Sequence, residues 1–100
     1  MLDAADLTLW LDSHPGAVQI VAHVRSGVGA NAGYEVVLKR DGASGRSELR
    51  QAGSVVLESD AGVSLGTLAV NRQSADQCGI EVRLYEGERL VLSQRFVCPP

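Results

Sequence analysis

The chain has 100 residues, 45% of them hydrophobic and 4% aromatic, with a formal net charge of −3; that suffices for one compact domain with a core of Val, Leu, Ile and Ala, and is too little for two. The acidic balance excludes a general nucleic-acid binder, which needs a dense Lys and Arg field to displace phosphate counterions. No apolar run approaches the roughly 18 residues that span a bilayer, and Met1-Leu2-Asp3-Ala4-Ala5-Asp6 lacks the basic-then-apolar pattern of a secretory leader, so no membrane insertion is expected and an exported form would have lost its leader already.

Strand-like segments recur at short intervals between turn formers. Leu7-Thr8-Leu9-Trp10-Leu11 alternates and ends at Ser13-His14-Pro15-Gly16, a turn sequence. Val18, Ile20, Ala22 and Val24 alternate with Gln19, Val21, His23 and Arg25, the pattern of a half-buried strand. Residues 26–33 read as a loop. Residues 34–40 form a third strand, with Tyr34, Val36 and Leu38 on one side and Glu35, Val37 and Lys39 on the other, closed by a turn over 41–45. From 46 to 59 the alternation weakens, which gives one bent edge strand or two short ones, with Gly53 at the bend. After Asp60-Ala61-Gly62 comes a strand over 65–71, and residues 73–77 lead into a terminal hairpin.

That hairpin is the most legible part. Cys78, Ile80, Val82 and Leu84, then Leu90, Leu92, Phe96 and Cys98, fall on alternate positions around Glu86-Gly87-Glu88, so paired strands send them to one buried face. Pairing that opposes 84 with 90 or 92 brings Cys78 and Cys98 together. A disulfide there would be worth about 3 kcal/mol; the alternative is two reduced, buried core thiols. Seven short strands fit a single all-β domain over residues 1–100, an immunoglobulin-like sandwich of two antiparallel sheets. Antibody-type domains carry Cys on the second and sixth strands and Trp on the third. Here Trp10 lies on the first strand and both Cys on the last two, so the architecture alone is shared.

Several patterns suggest chemistry and fail on context. Gly62-Val63-Ser64-Leu65-Gly66 has the spacing of a nucleophile elbow but is followed by a strand, where that motif needs a helix. Asp12, Ser13 and His14 are consecutive and cannot converge on one bond; a polar turn accounts for them. His14, His23, Cys78 and Cys98 lack the short spacings of a zinc site. Gly27-Val28-Gly29 precedes a strand, not a phosphate-cradling helix. The two cysteines lack the C-x-x-C arrangement of a redox pair. The expectation is a non-enzyme with no cofactor and no metal.

The run Gly42-Ala43-Ser44-Gly45-Arg46-Ser47, residues 65–71, and above all Tyr85-Glu86-Gly87-Glu88-Arg89-Leu90-Val91-Leu92-Ser93-Gln94 with Pro99-Pro100 resemble the CsgC/CsgH-type curli assembly proteins in order and spacing, from about Asp6 onward. The CsgC branch carries Cys-x-Cys where this chain has Ala30-Asn31-Ala32, which removes a redox role tied to that motif and points to the CsgH-like branch. The resemblance implies a periplasmic, non-enzymatic, immunoglobulin-like protein, a monomer, that keeps the curli major subunit from forming amyloid before export. The partner that the resemblance implies is that subunit. A structural or adhesive module of a cell-surface assembly, or a thiol-disulfide protein, are the other readings.

A surface for this role follows from the sandwich. In the usual topology the third, sixth and seventh strands share a sheet, whose outward positions are Glu35, Val37, Lys39, Glu81, Arg83, Tyr85, Arg89, Val91, Arg95 and Val97. Four are basic and two acidic, on a protein that is acidic as a whole. Lys39, Arg83, Tyr85, Arg89, Val91 and Arg95 are therefore the candidate partner-binding residues, set against the simpler account in which outward charges pair across strands and stay solvated.

Overall fold

A computed structural model of the chain describes residues 1–13, 19–42, 45–69 and 77–98. Among these residues one 3-10 turn, Ala4–Asp6, starts where the Asp3 carboxylate accepts the Ala5 N–H. The same described residues hold seven strands: β1 Leu7–Ser13, β2 Gln19–Ser26, β3 Ala30–Gly42, β4 Gly45–Leu57, β5 Gly62–Ala69, β6 Gln77–Glu86 and β7 Arg89–Val97. They form two sheets, ordered β1-β2-β5 and β4-β3-β6-β7, with every pairing antiparallel. This is the immunoglobulin-like sandwich that the alternation predicts, with β4 added beside β3.

The core is the inner row of each strand. Ile20, Ala22 and Val24 of β2 face Val36 and Leu38 of β3 and Ile80, Val82 and Leu84 of β6, all at most 4% exposed. Burying each such branched side chain is worth about 1.5–3 kcal/mol. On β5 the inward residues are Leu65 and Leu68, three apart, which a regular strand would send to opposite faces. The register shift against Val21 and His23 supplies the missing residue, and Gly66 turns through it with φ +126°. Leu2 closes one end of the core at 1% exposure. Its N–H donates to both Glu86 carboxylate oxygens at 3.1 Å, and its carbonyl accepts from the Arg89 guanidinium.

Four expectations change. β3 begins at Ala30, because residues 30–33 pair with 54–57 of β4, so the loop at 26–33 is shorter than its glycines suggest. Residues 45–57 form one strand with no register shift. Gly53 therefore marks no bulge; it faces Tyr34, whose Oη lies 3.0 Å from where a Cβ would stand, and its missing side chain makes room for that ring. Asp12 and Ser13 extend β1 where a turn was expected. Leu90 is 49% exposed, because a bulge intervenes in β7. His14, Val18, residues 70–76 and the Pro99-Pro100 pair lie outside the described residues.

Candidate interaction face

Direct cross-strand partners point to the same side of a sheet, so the register fixes the outer face of β4-β3-β6-β7 row by row. One row is Arg50, Val37, Glu81 and Arg95; the next is Ala52, Glu35, Arg83 and Ser93; on the other side lie Glu48, Lys39, Gly79 and Val97. Opposite charges meet along and between these rows. Glu48 pairs with Arg50 at 3.0 Å and Arg50 with Glu35 at 3.1 Å. Glu35 also accepts from Arg83 at 3.2 Å, Arg83 reaches Glu81 at 2.5 Å, and Glu81 accepts from Arg95 at 3.2 Å. An unbroken chain of three carboxylates and three guanidiniums thus crosses all four strands.

The chain's electrostatics follow from alternation. Partial burial works against ionisation of Glu81, but the charge of Arg83 and hydrogen bonds from Arg83 and Arg95 outweigh it and hold the carboxyl below the usual carboxylate range. The attraction of Glu81 raises Arg83, and hydrogen bonding to Glu48 followed by the charge of Glu35 raises Arg50. At the sandwich end, hydrogen bonds from Arg89 and the Leu2 N–H hold Glu86 below its ordinary range. Val37 points outward as expected yet is 5% exposed, since the long charged side chains of its row close over it.

The structure brings Lys39, Arg83, Tyr85 and Arg95 onto one face and takes Arg89 and Val91 off it. Leu84 pairs with Leu92 while Tyr85 pairs with Leu90, so Val91 is an extra residue and its side chain packs against the core. The bulge inverts the parity of residues 89–91. Leu90 takes the outward position beside Tyr85, and Arg89 turns to Glu86 and the Leu2 carbonyl. Lys39 is exposed and makes no ion pair with a described residue. Opposite it Gly79 carries no side chain, and two grooves, about 740 and 250 Å³, border Lys39 and Gly79 together.

The other sheet carries a smaller cluster. Trp10 stacks on His23, 5.2 Å between centroids at 12°, and the His23 Nε2 lies 2.9 Å from Asp12. Ser64 of the G-x-S-x-G run sits in β5, its hydroxyl accepting the Gly66 N–H. Among the described residues no group of three His, Cys, Asp or Glu could hold a metal ion, and no helix is long and apolar enough to cross a membrane.

Residues 4–96 match the family model of the thin aggregative fimbriae synthesis proteins, Tafi-CsgC. The chain belongs to this family. Its fold is similar to the E. coli curli protein CsgC, with a TM-score of 0.73 at 24% identity over 95% of this chain and 98% of that one. It is also similar to R. palustris CsgH, with a TM-score of 0.72 at 16% identity over 92% and 90%. No curated protein sequence matches it.

In this curli assembly family member, Cys78 and Cys98 form the disulfide across the terminal hairpin, with Cα atoms 5.3 Å apart. The Cys98 N–H also donates to the Cys78 carbonyl at 3.1 Å. Ala30-Asn31-Ala32 opens β3, with Ala32 buried against the core. Sequence reasoning missed Glu48 and Arg50, which complete the charged chain on β4. The signal was present in the alternation Arg46, Glu48, Arg50, but with β4 unassigned to a sheet it had no face.

Proposed function

We propose that this curli assembly family member is a periplasmic, non-enzymatic, chaperone-like inhibitor that keeps the curli major subunit from premature amyloid formation. The contacts are transient and come from the four-stranded sheet. The observation that carries the reading is the family match over residues 4–96, and the physics of the sheet supports it. Amyloid grows by edge pairing and stacking of strands, so an inhibitor must touch β-prone segments weakly without being sequestered. A face whose guanidiniums are already paired with carboxylates binds weakly by construction, because a client charge competes with an internal one. Lys39 and the exposed apolar side chains Leu90 and Val97, at 49% and 86%, remain free for brief contact.

The test is a thioflavin time course of purified curli subunit with a sub-equimolar amount of protein. The variant Lys39→Ser/Arg83→Ser/Arg95→Ser, its fold checked by circular dichroism, should delay fibrillation less than wild type. Equal delay by the folded variant would rule out this face. A stable stoichiometric complex in place of sub-equimolar delay would mark a structural module.

A further inference from the structure

A strand that ends a sheet leaves a row of backbone N–H and C=O groups unpaired, and folded proteins blunt such edges with bulges, charges or covers. Four strands end sheets here: β1, β5, β4 and β7. β7 is bulged at Val91, carries Arg95, and is tied down at Arg89 and Cys98. β5 bends at Gly66, and its Thr67 carbonyl accepts from Gln51 Nε2 at 2.9 Å. β1 spans seven residues and bears Asp12. β4 differs. It runs for 13 residues, pairs with β3 without a register shift, and among the described residues is laddered to no second strand, its Gln51 side chain reaching β5 just before the segment 52–56.

The charges of β4 are confined to one half. Arg46, Glu48 and Arg50 guard the first part, whereas residues 52–56 read Ala-Gly-Ser-Val-Val with no charge, no proline and no bulge. All five are exposed or half-exposed, Val56 at 65%. We propose that the free edge of β4 over residues 52–56 is a docking edge that takes an extended, uncharged strand of the curli subunit by backbone pairing. This deepens the proposed function and rests on it.

The chemistry of the edge selects the occupant. Five residues extend about 17 Å, the length of one ordinary strand, and only another extended backbone satisfies an unpaired ladder of that length. Ala52, Gly53 and Ser54 present almost no side chain, so reading is by backbone and the client's sequence is weakly constrained. A neutral segment fits because no unpaired charge waits to receive an ionised one. β4 has one free edge, so each protein caps one client strand and its own β3 blocks growth on the other side. Capping the few early nuclei delays fibrillation at sub-equimolar dose.

Two double variants test this, Ala52→Lys/Ser54→Lys and Ala52→Glu/Ser54→Glu, at exposed positions and with the fold of each checked by circular dichroism, since Ala52 lies opposite Glu35; Ala52→Ser/Ser54→Thr is the neutral control. Charge of either sign must be carried into the paired edge, so both charged variants should need about tenfold more protein for the same lag, and the control should match wild type. Delay equal to wild type in both charged variants overturns the edge, as does a response of opposite sign for Lys and Glu, which would mark long-range attraction to a face. Amide NMR of 15N-labelled wild-type protein with added subunit separates this from the underlying function. Broadening centred on residues 52–56 supports the edge even if wild type leaves the lag unchanged, in which case inhibition alone fails; amides at 52–56 that stay sharp overturn the docking edge.

Discussion

Reducing the Cys78–Cys98 bond should cost this protein much of its stability. The two residues are 20 apart in sequence, and closing a loop of that length removes about 11 cal/mol/K of unfolded-chain entropy, or about 3 kcal/mol at 25 °C. In a domain of this size each kcal/mol moves the melting temperature by about 4–8 °C, so the loss should be about 12–25 °C. Both cysteines are buried, at 8% and 5% exposure, so Cys78→Ala/Cys98→Ala should lose at least as much as the reduced wild type, having given up packing as well. Calorimetric melts with and without reductant, with full reduction confirmed by mass, measure it. A shift below about 5 °C would refute the reasoning, because it would mean that the unfolded chain already holds the hairpin ends together.

Other outcomes follow from particular contacts. Leu2→Ala should cost about 2–5 kcal/mol in urea unfolding, because a side chain 1% exposed plugs the core; a loss below 1 kcal/mol would show that the plug collapses freely. Gly53→Val should destabilise by about 1–3 kcal/mol, since its Cβ meets the Tyr34 ring at 3.0–3.3 Å, and an unchanged denaturation midpoint would contradict the fit described for that pair. Glu81 and Glu86 are both held below the ordinary carboxylate range when folded. Their stabilising contribution is therefore complete above the unfolded value near pH 4.3 and is lost as pH falls through the lower folded values. Carboxyl-carbon NMR titration should place both midpoints below those of unstructured Glu, and a midpoint above would contradict the ion-pair chain for Glu81 or the Leu2 clamp for Glu86.

The sandwich was legible because period-two burial is a local signal. Ile20, Ala22 and Val24, and Cys78, Ile80, Val82 and Leu84, declare their face without reference to any other strand. The disulfide followed from the same parity. What the sequence hid was set between strands. The bulge at Val91 has no glycine to mark it, and it moved Arg89 off the face and Leu90 onto it. Gly53, in contrast, looked like a bulge and is a seat for Tyr34, a pairing between residues 19 positions apart. The charged chain needed the register of β4 against β3, which the weak alternation of residues 46–51 did not announce. Val37 shows the limit of parity as a guide to exposure, since neighbouring arginine and glutamate stems bury it from the solvent side.

The most direct measurement is the fibrillation lag of purified curli subunit at several sub-equimolar doses of the wild-type protein, with the soluble subunit quantified when the untreated sample reaches its plateau. Lag that lengthens with dose while subunit stays soluble is the predicted result. A lag unchanged at every dose, with the subunit fully converted, would contradict it.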